Sequence, residues 1–244
     1  EQAADLLRWY RDYMPEAPRD AYAFYAFLKV PPVEAFPAEL HTRTMCGLVW
    51  CHLGSAEEAE AAFQQARAVH QPAFEHVGPM PFPMLNSLFD VFYPSGLQWY
   101  WKGDFYDEIG DEAVALHVEH GERLPTLLST MHLYPVDGAV HDVDADATAF
   151  SYRDALWSGV YVGVDPDPGM RDPITRWTRG YWEALHPHSM GGSYINFLMD
   201  EGEERIRATY RGNYDRLAAV KERYDPGNLF HVNQNVRPAH GAAT

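Results

Sequence analysis

The chain has 244 residues, 46% of them hydrophobic and 22% charged, which describes a globular protein able to bury a core of one domain or a domain and a half. Nineteen basic residues against 35 acidic ones leave a formal charge of −16, spread along the chain. That balance disfavours nucleic acid and anionic membrane as partners, since both reward Lys and Arg. No apolar run reaches the ~18 residues of a membrane-spanning helix. The start, Glu1 to Leu7, lacks the basic and apolar parts of a signal peptide, so a cytoplasmic location is expected. The absence of an initiator Met points to a chain that starts inside a longer one. Seven Trp and 15 Tyr fit either a roomy apolar pocket or a core rich in aromatics.

In chain order, Ala3 to Tyr13 reads as an amphipathic helix with Leu6, Leu7, Tyr10 and Tyr13 inward. Asp20 to Val30 alternates aromatic and small residues (Tyr22, Phe24, Ala26, Leu28), a strand signature bounded by Pro31 and Pro32. Thr42 to Leu53 is a second strand; its Cys46 and Cys51 lie five apart and so face opposite sides, which disfavours a disulfide or a shared metal. Ser55 with Glu58 forms a capping-box pattern that opens a helix to about His70. A short strand is expected at Phe74 to Val77, a break at Pro79 to Pro83, and a short helix from Met84 to Phe92.

Leu97 to at least Phe105 alternates as a strand, and Asp111 to Arg123 reads as a helix. Strands are expected at Thr126 to Tyr134, Gly138 to Val143 and Ala155 to Val164. Asp172 to Leu185 is a helix with Ile174, Trp177, Tyr181 and Leu185 on one face. This succession predicts an α+β fold, an antiparallel sheet with helices on one face.

Metal chemistry finds little support. His117-Val-Glu-His120 places two His at i and i+3, off any zincin spacing, and reads as a solvated helix face. Asp142, Asp144 and Asp146 imitate the start of a calcium loop, but Ala147 and Arg153 stand where its Gly and bidentate Glu belong. His186-Pro-His188 reads as a loop. No phosphate loop, dinucleotide fingerprint or nucleophile elbow is present.

The densest information lies near the end. Tyr194-Ile-Asn-Phe197 reads as a short strand, and Glu203 to Tyr210 and Tyr214 to Tyr224 as helices. Asp225-Pro-Gly-Asn228 stops the second helix, because Pro cannot continue it and Gly or Asn tolerates left-handed backbone. The amides Asn233, Gln234 and Asn235 follow; buried amides must either cap local backbone or find a polar partner.

These elements, with Tyr210-Arg-Gly-Asn-Tyr-Asp-Arg-Leu217 between them, resemble the carboxy-terminal region of berberine-bridge-enzyme-like FAD-linked oxidoreductases of the vanillyl-alcohol-oxidase superfamily. Upstream, Leu133 to Val140 is similar to the family strand that ends in a turn over the pocket, and Ala147 to Arg153 to the motif after it. The resemblance implies a substrate domain over residues 1 to about 190, whose sheet roofs the flavin. It implies that residues 191 to 244 return to complete an FAD domain, most of which this sequence lacks. That missing amino-terminal half would be a partner, as would a small-molecule substrate and oxygen or another electron acceptor. The implied reaction is oxidation of an alcohol, sugar or natural product by hydride transfer to FAD.

The same resemblance puts Tyr194 and Asn196, with Asn233 and Asn235, against the cofactor. His132 and Tyr134 share one strand face, so either could handle a substrate proton if that face looks at the flavin. Trp99, Trp101, Tyr134 and Phe197 are the expected pocket residues. Many family members carry a Tyr general base where Phe197 stands, and Phe197 has no ionisable group. Three readings follow: the base is Tyr134, His132 or Tyr194; the chemistry needs little base; or the protein is a non-catalytic ligand-binding or interaction module.

Overall fold

A computed structural model describes residues 2–239. Five strands form one antiparallel sheet: β1 (Ala21–Lys29), β2 (Thr44–His52), β3 (Gln98–Tyr106), β4 (Thr130–Pro135) and β5 (Trp157–Asp165), in the order β2-β1-β4-β5-β3. Every neighbouring pair is antiparallel, with Tyr25 opposite Leu133 and His132 opposite Val160. The architecture is therefore α+β, as the alternation of patterns predicts.

Side chains alternate across the sheet, so each strand sends one set to each face. On one face Tyr25 and Phe27, Met131 and Leu133, and Trp157 and Tyr161 meet α1 (Gln2–Tyr13), α4 (Asp111–Gly121) and α5 (Arg171–Leu185). Leu7, Tyr10, Val114, Tyr181 and Leu185 fill that layer and are almost fully buried. The Tyr10 hydroxyl lies 2.9 Å from the carbonyls of both Ala23 and Leu133, so its polar tip is satisfied inside the core. Helix α2 (Ala56–Val69) begins with the expected capping box: Ser55 Oγ accepts from the Glu58 amide and the Glu58 carboxylate accepts from the Ser55 amide. A short α3 (Phe82–Asn86) follows, and two helices close the chain, α6 (Glu203–Tyr210) and α7 (Tyr214–Tyr224). Helix α7 stops as its sequence indicates. Asp225 accepts from the Leu229 and Phe230 amides at 2.7 and 3.0 Å, and Asn228 takes the left-handed conformation at φ 50°.

Several expectations fail locally. Gly138–Val140 is a 3-10 turn, opened by Gly138 in left-handed backbone at φ 58°, and Phe74 to Val77 is irregular; neither segment pairs with the sheet. Tyr194–Phe197 is also no strand; it is an extended residue followed by the 3-10 turn Ile195–Phe197. Residues 240–244 of the expected carboxy-terminal segment lie outside the described residues. His117 does not face solvent: it is fully buried, with Nδ1 3.0 Å from the Tyr181 hydroxyl. His186-Pro-His188 forms a 3-10 turn in which His186 binds the buried Asp104 at 2.9 Å.

Asp104 anchors the route by which the chain's end returns to the sheet. Its carboxylate is wholly buried on the helix face of β3 and accepts from Arg205, which also donates to the carbonyls of Gly103 at 2.7 Å and Gly191 at 2.5 Å. Beside it Lys102 pairs with Glu201 and lies 4.1 Å above the Trp182 ring. This cluster fixes α6 and the preceding loop to edge strand β3, and so places Tyr194 and Phe197 over the other face of the sheet.

Candidate active site on the open face of the sheet

The second face carries Tyr22 and Phe24 from β1, His132 and Tyr134 from β4, Ser158 from β5 and Phe105 from β3, and the principal helices do not cover it. The Phe24 ring centroid lies 4.9 Å from that of His132 and 5.0 Å from that of Tyr134. His132 Nδ1 is 2.6 Å from the Tyr134 hydroxyl, the closeness that residues i and i+2 of one strand allow.

The loop after α5 covers this pair. In a 3-10 turn residues three apart stand on the same side, so Tyr194 and Phe197, rather than Tyr194 and Asn196, present their rings together. Phe197 stacks on Tyr134 at 5.9 Å, with its plane tilted by 29°, and Tyr194 meets Phe197 edge-on at 5.2 Å. Asn196 turns outward and donates from Nδ2 to the Tyr194 hydroxyl at 2.9 Å. Tyr22, Tyr134, Tyr194, Phe197 and Asp137 contribute to the lining of an open, largely aromatic cavity of about 350 Å³. Ser158 also lines it, and its hydroxyl is buried without a hydrogen-bond partner among the described residues.

Desolvation lowers His132 to about 4, so its imidazole is neutral near neutral pH and Nδ1 can accept the Tyr134 proton. Desolvation, aided by Tyr22 and Tyr93, raises the Tyr134 phenol above its ordinary value, which keeps it protonated. In the tautomer that carries its proton on Nε2, His132 accepts through Nδ1 and Tyr134 donates.

The other expected site residues lie elsewhere. Trp99 and Trp101 share the open face, 6.1 Å apart, but stand outside the cavity lining; Trp99 packs on Tyr93 and the Trp101 amide donates to the Met199 sulfur. Asn233 is exposed in left-handed backbone at φ 59°, and Asn235 is half-buried. Of the three successive amides, Gln234 is the one that reaches a protein partner among the described residues, donating to the Leu198 carbonyl. Ser158, Asp137 and Tyr22 were not singled out as site residues by sequence reasoning. For Tyr22 the signal was present in the period-two pattern of β1. Among the described residues no group of three or more His, Cys, Asp or Glu side chains is placed to hold a metal ion, and no helix is long and apolar enough to cross a membrane.

The berberine and berberine-like family model matches residues 193–237, the stretch that forms this cover and the two helices behind it. The chain is similar to the berberine-bridge-enzyme-like FAD-linked oxidoreductases. An FAD-linked oxidoreductase of Dictyostelium discoideum is 24% identical over 187 residues, covering 76% of this chain and 41% of that protein. The aclacinomycin-N/aclacinomycin-A oxidase of Streptomyces galilaeus is 31% identical over 124 residues, covering 43% of this chain and 23% of its own. A berberine-bridge-enzyme-like structure from Arabidopsis thaliana superposes with a TM-score of 0.78 at 17% identity, over 97% of this chain and 54% of that one. The berberine bridge enzyme of Eschscholzia californica superposes with a TM-score of 0.76 at 17% identity, over 97% and 52%. The chain thus spans about half the length of these solved relatives, and less of the curated ones.

Two desolvated histidines, the buried His117 and the half-buried His132, give this domain a testable acid response. His132 is lowered to about 4 and His117 to about 3, both chiefly by desolvation, whereas an unfolded His titrates near 6.5. Below that value the unfolded chain binds protons that the folded one refuses, so stability is present above about 6.5 and falls as pH drops towards 4. The slope is about 1.4 kcal/mol per pH unit for each histidine. Urea midpoints measured between neutral pH and pH ~5 should decrease steadily; a flat or rising series would show that these rings are not buried neutral.

Proposed function

We propose that this chain forms the substrate face and part of the flavin pocket of an FAD-dependent oxidoreductase that oxidises an alcohol, sugar or natural-product substrate. The observation that carries the reading is the His132–Tyr134 pair beneath Phe197 and Tyr194: Tyr134 stands at the wall of an aromatic cavity made partly by the berberine-bridge segment, and His132 lies behind it, outside the lining. The lining suits a flat conjugated ring: stacked aromatic faces stand beside the buried, unpartnered Ser158 hydroxyl. FAD, when bound, supplies the hydride acceptor. The protein residues do the rest. Tyr134 receives the substrate hydroxyl proton as its own passes to neutral His132, while the rings of Tyr22, Tyr194 and Phe197 limit water and orient the ligand.

The remaining half of the cofactor site would come from an amino-terminal FAD-binding half. Leu229, Phe230 and Val232 are 74%, 76% and 77% exposed on the same segment that follows α7, a patch suited to that contact. Tyr194, Asn196, Asn233 and Asn235 lie in the chain's return and are the residues offered to the cofactor. Electrons would leave to oxygen or another small acceptor. The test is anaerobic mixing of the full-length holoprotein with a panel of alcohols, sugars and phenolic natural products. At least one should bleach the flavin absorbance; a flavin that dithionite bleaches but no member of the panel does would favour a ligand-binding module without turnover.

A further inference from the structure

Among the residues lining the aromatic cavity there is one charged side chain, and it is acidic: Asp137, just beyond β4. Asp137 also lines a second, polar cavity of about 270 Å³, together with Arg19, His141 and Asp142, so it stands at the junction of the two. The nearby basic side chains are already engaged. Arg19 binds Asp142 through both carboxylate oxygens at 2.8 and 2.7 Å, and His141 donates from Nε2 to the Ala155 carbonyl at 3.0 Å. The Asp137 carboxylate has no hydrogen bond or ion pair with a side chain or backbone group among the described residues. Its own backbone carbonyl closes the 3-10 turn that follows, at 3.3 Å from the Val140 amide, which holds the residue at the cavity wall. Burial raises the Asp137 pKa above its ordinary value even though His141 and Arg19 pull the other way. The negative charge is under-compensated.

We propose that Asp137 selects substrates bearing a basic nitrogen, acting as counter-ion to a ligand ammonium seated among the faces of Tyr22, Tyr134, Tyr194 and Phe197. Aromatic faces carry negative electrostatic potential and favour a cation, and more so where water is thinned. A carboxylate beside them adds direct charge pairing, and no Lys, Arg or His lines the aromatic cavity to oppose it. An anionic ligand meets repulsion from both. The proposal rests on the reading of this cavity as the substrate site and names the charge class that the site prefers.

The experiment is calorimetric titration of the full-length holoprotein with three small probes of one shape class: benzyltrimethylammonium, benzyl alcohol and phenylacetate. The expected order is the cation about tenfold or more tighter than the alcohol, a gap of the size that cation–π and ion-pair contacts supply together, with phenylacetate weakest. Asp137→Asn should erase the preference for the cation while leaving alcohol binding and the flavin spectrum intact; Asp144→Asn, at an exposed loop position, should keep it. Equal binding of cation and alcohol, a preference that survives Asp137→Asn, or no binding of the cation overturns the proposal. The two readings fail separately. A protein that holds no flavin but binds the cation through Asp137 loses the redox assignment alone, and a flavin-loaded protein without the preference loses this proposal alone.

Discussion

Changing His132 to Gln, or Tyr134 to Phe, is expected to lower turnover of the holoprotein by ~10²–10⁴, the range that a positioned proton acceptor contributes. Substrate affinity should change far less, because the hydrophobic contacts of Phe24 and Phe197 with this pair remain. The two residues are not equivalent. Burial keeps the Tyr134 phenol protonated, so alone it is a poor acceptor; it becomes useful because neutral His132, 2.6 Å away, takes its proton. The active form is therefore His132 unprotonated. Turnover should be sustained above its depressed value of about 4 and lost as pH falls through it. Steady-state kinetics of both variants settle the matter: wild-type turnover in each would remove the pair from the chemistry and return the reaction to a substrate that needs no base. A selective rise in KM at unchanged kcat would assign the pair to binding instead.

Arg205→Ala is expected to destabilise the domain by about 3–5 kcal/mol, the usual cost of leaving a buried charge without its partner. Asp104 has no solvent exposure, and with Arg205 gone only the partly exposed His186 remains to pair with it. Glu201 loses a neighbour as well, since Arg205 Nε lies 3.6 Å from its carboxylate. The same change frees the loop that carries Tyr194 and Phe197, so ligand affinity should drop together with stability. Denaturant unfolding measures the first effect, and a surface control such as Arg176→Ala, at an exposed position of α5, should stay within about 0.5 kcal/mol. A loss for Arg205→Ala no larger than for that control would mean that the cluster is solvated. The double variant Arg205→Met with Asp104→Leu should recover part of the loss, because it removes the buried charge along with its partner.

Much of this architecture is legible in the sequence because the physics is local. The capping box at Ser55 and Glu58, the stop at Asp225 to Asn228 and the inward face of α1 need no partner from afar to be recognised. Strand faces were legible for the same reason: the two-residue period puts His132 and Tyr134 together, and it puts Tyr22 and Phe24 beside them. What resisted reading depends on long-range pairing. Tyr194 to Phe197 has the composition of a strand, yet the sheet's last edge, β3, is met there by the Met190 amide and the Gly192 carbonyl, both bonded to Phe105, and the following residues turn instead. His117 looked solvated because its spacing gave no hint that Tyr181, 64 residues later, would bury it and meet its ring nitrogen. Trp99 and Trp101 share the right face, but face alone does not say how far along the sheet the cavity extends. Asp137 and Ser158 carry no motif; their significance lies in what surrounds them and in the partners they lack.

The central claim is that this sheet and its carboxy-terminal cover roof a flavin. A visible absorption spectrum of the full-length protein, repeated on the supernatant after acid precipitation, tests it most directly. The account expects a flavin spectrum, whether it leaves with the supernatant or stays in the pellet as covalently attached cofactor. A verified full-length protein that is colourless, and stays so after incubation with FAD and removal of the excess, would contradict it.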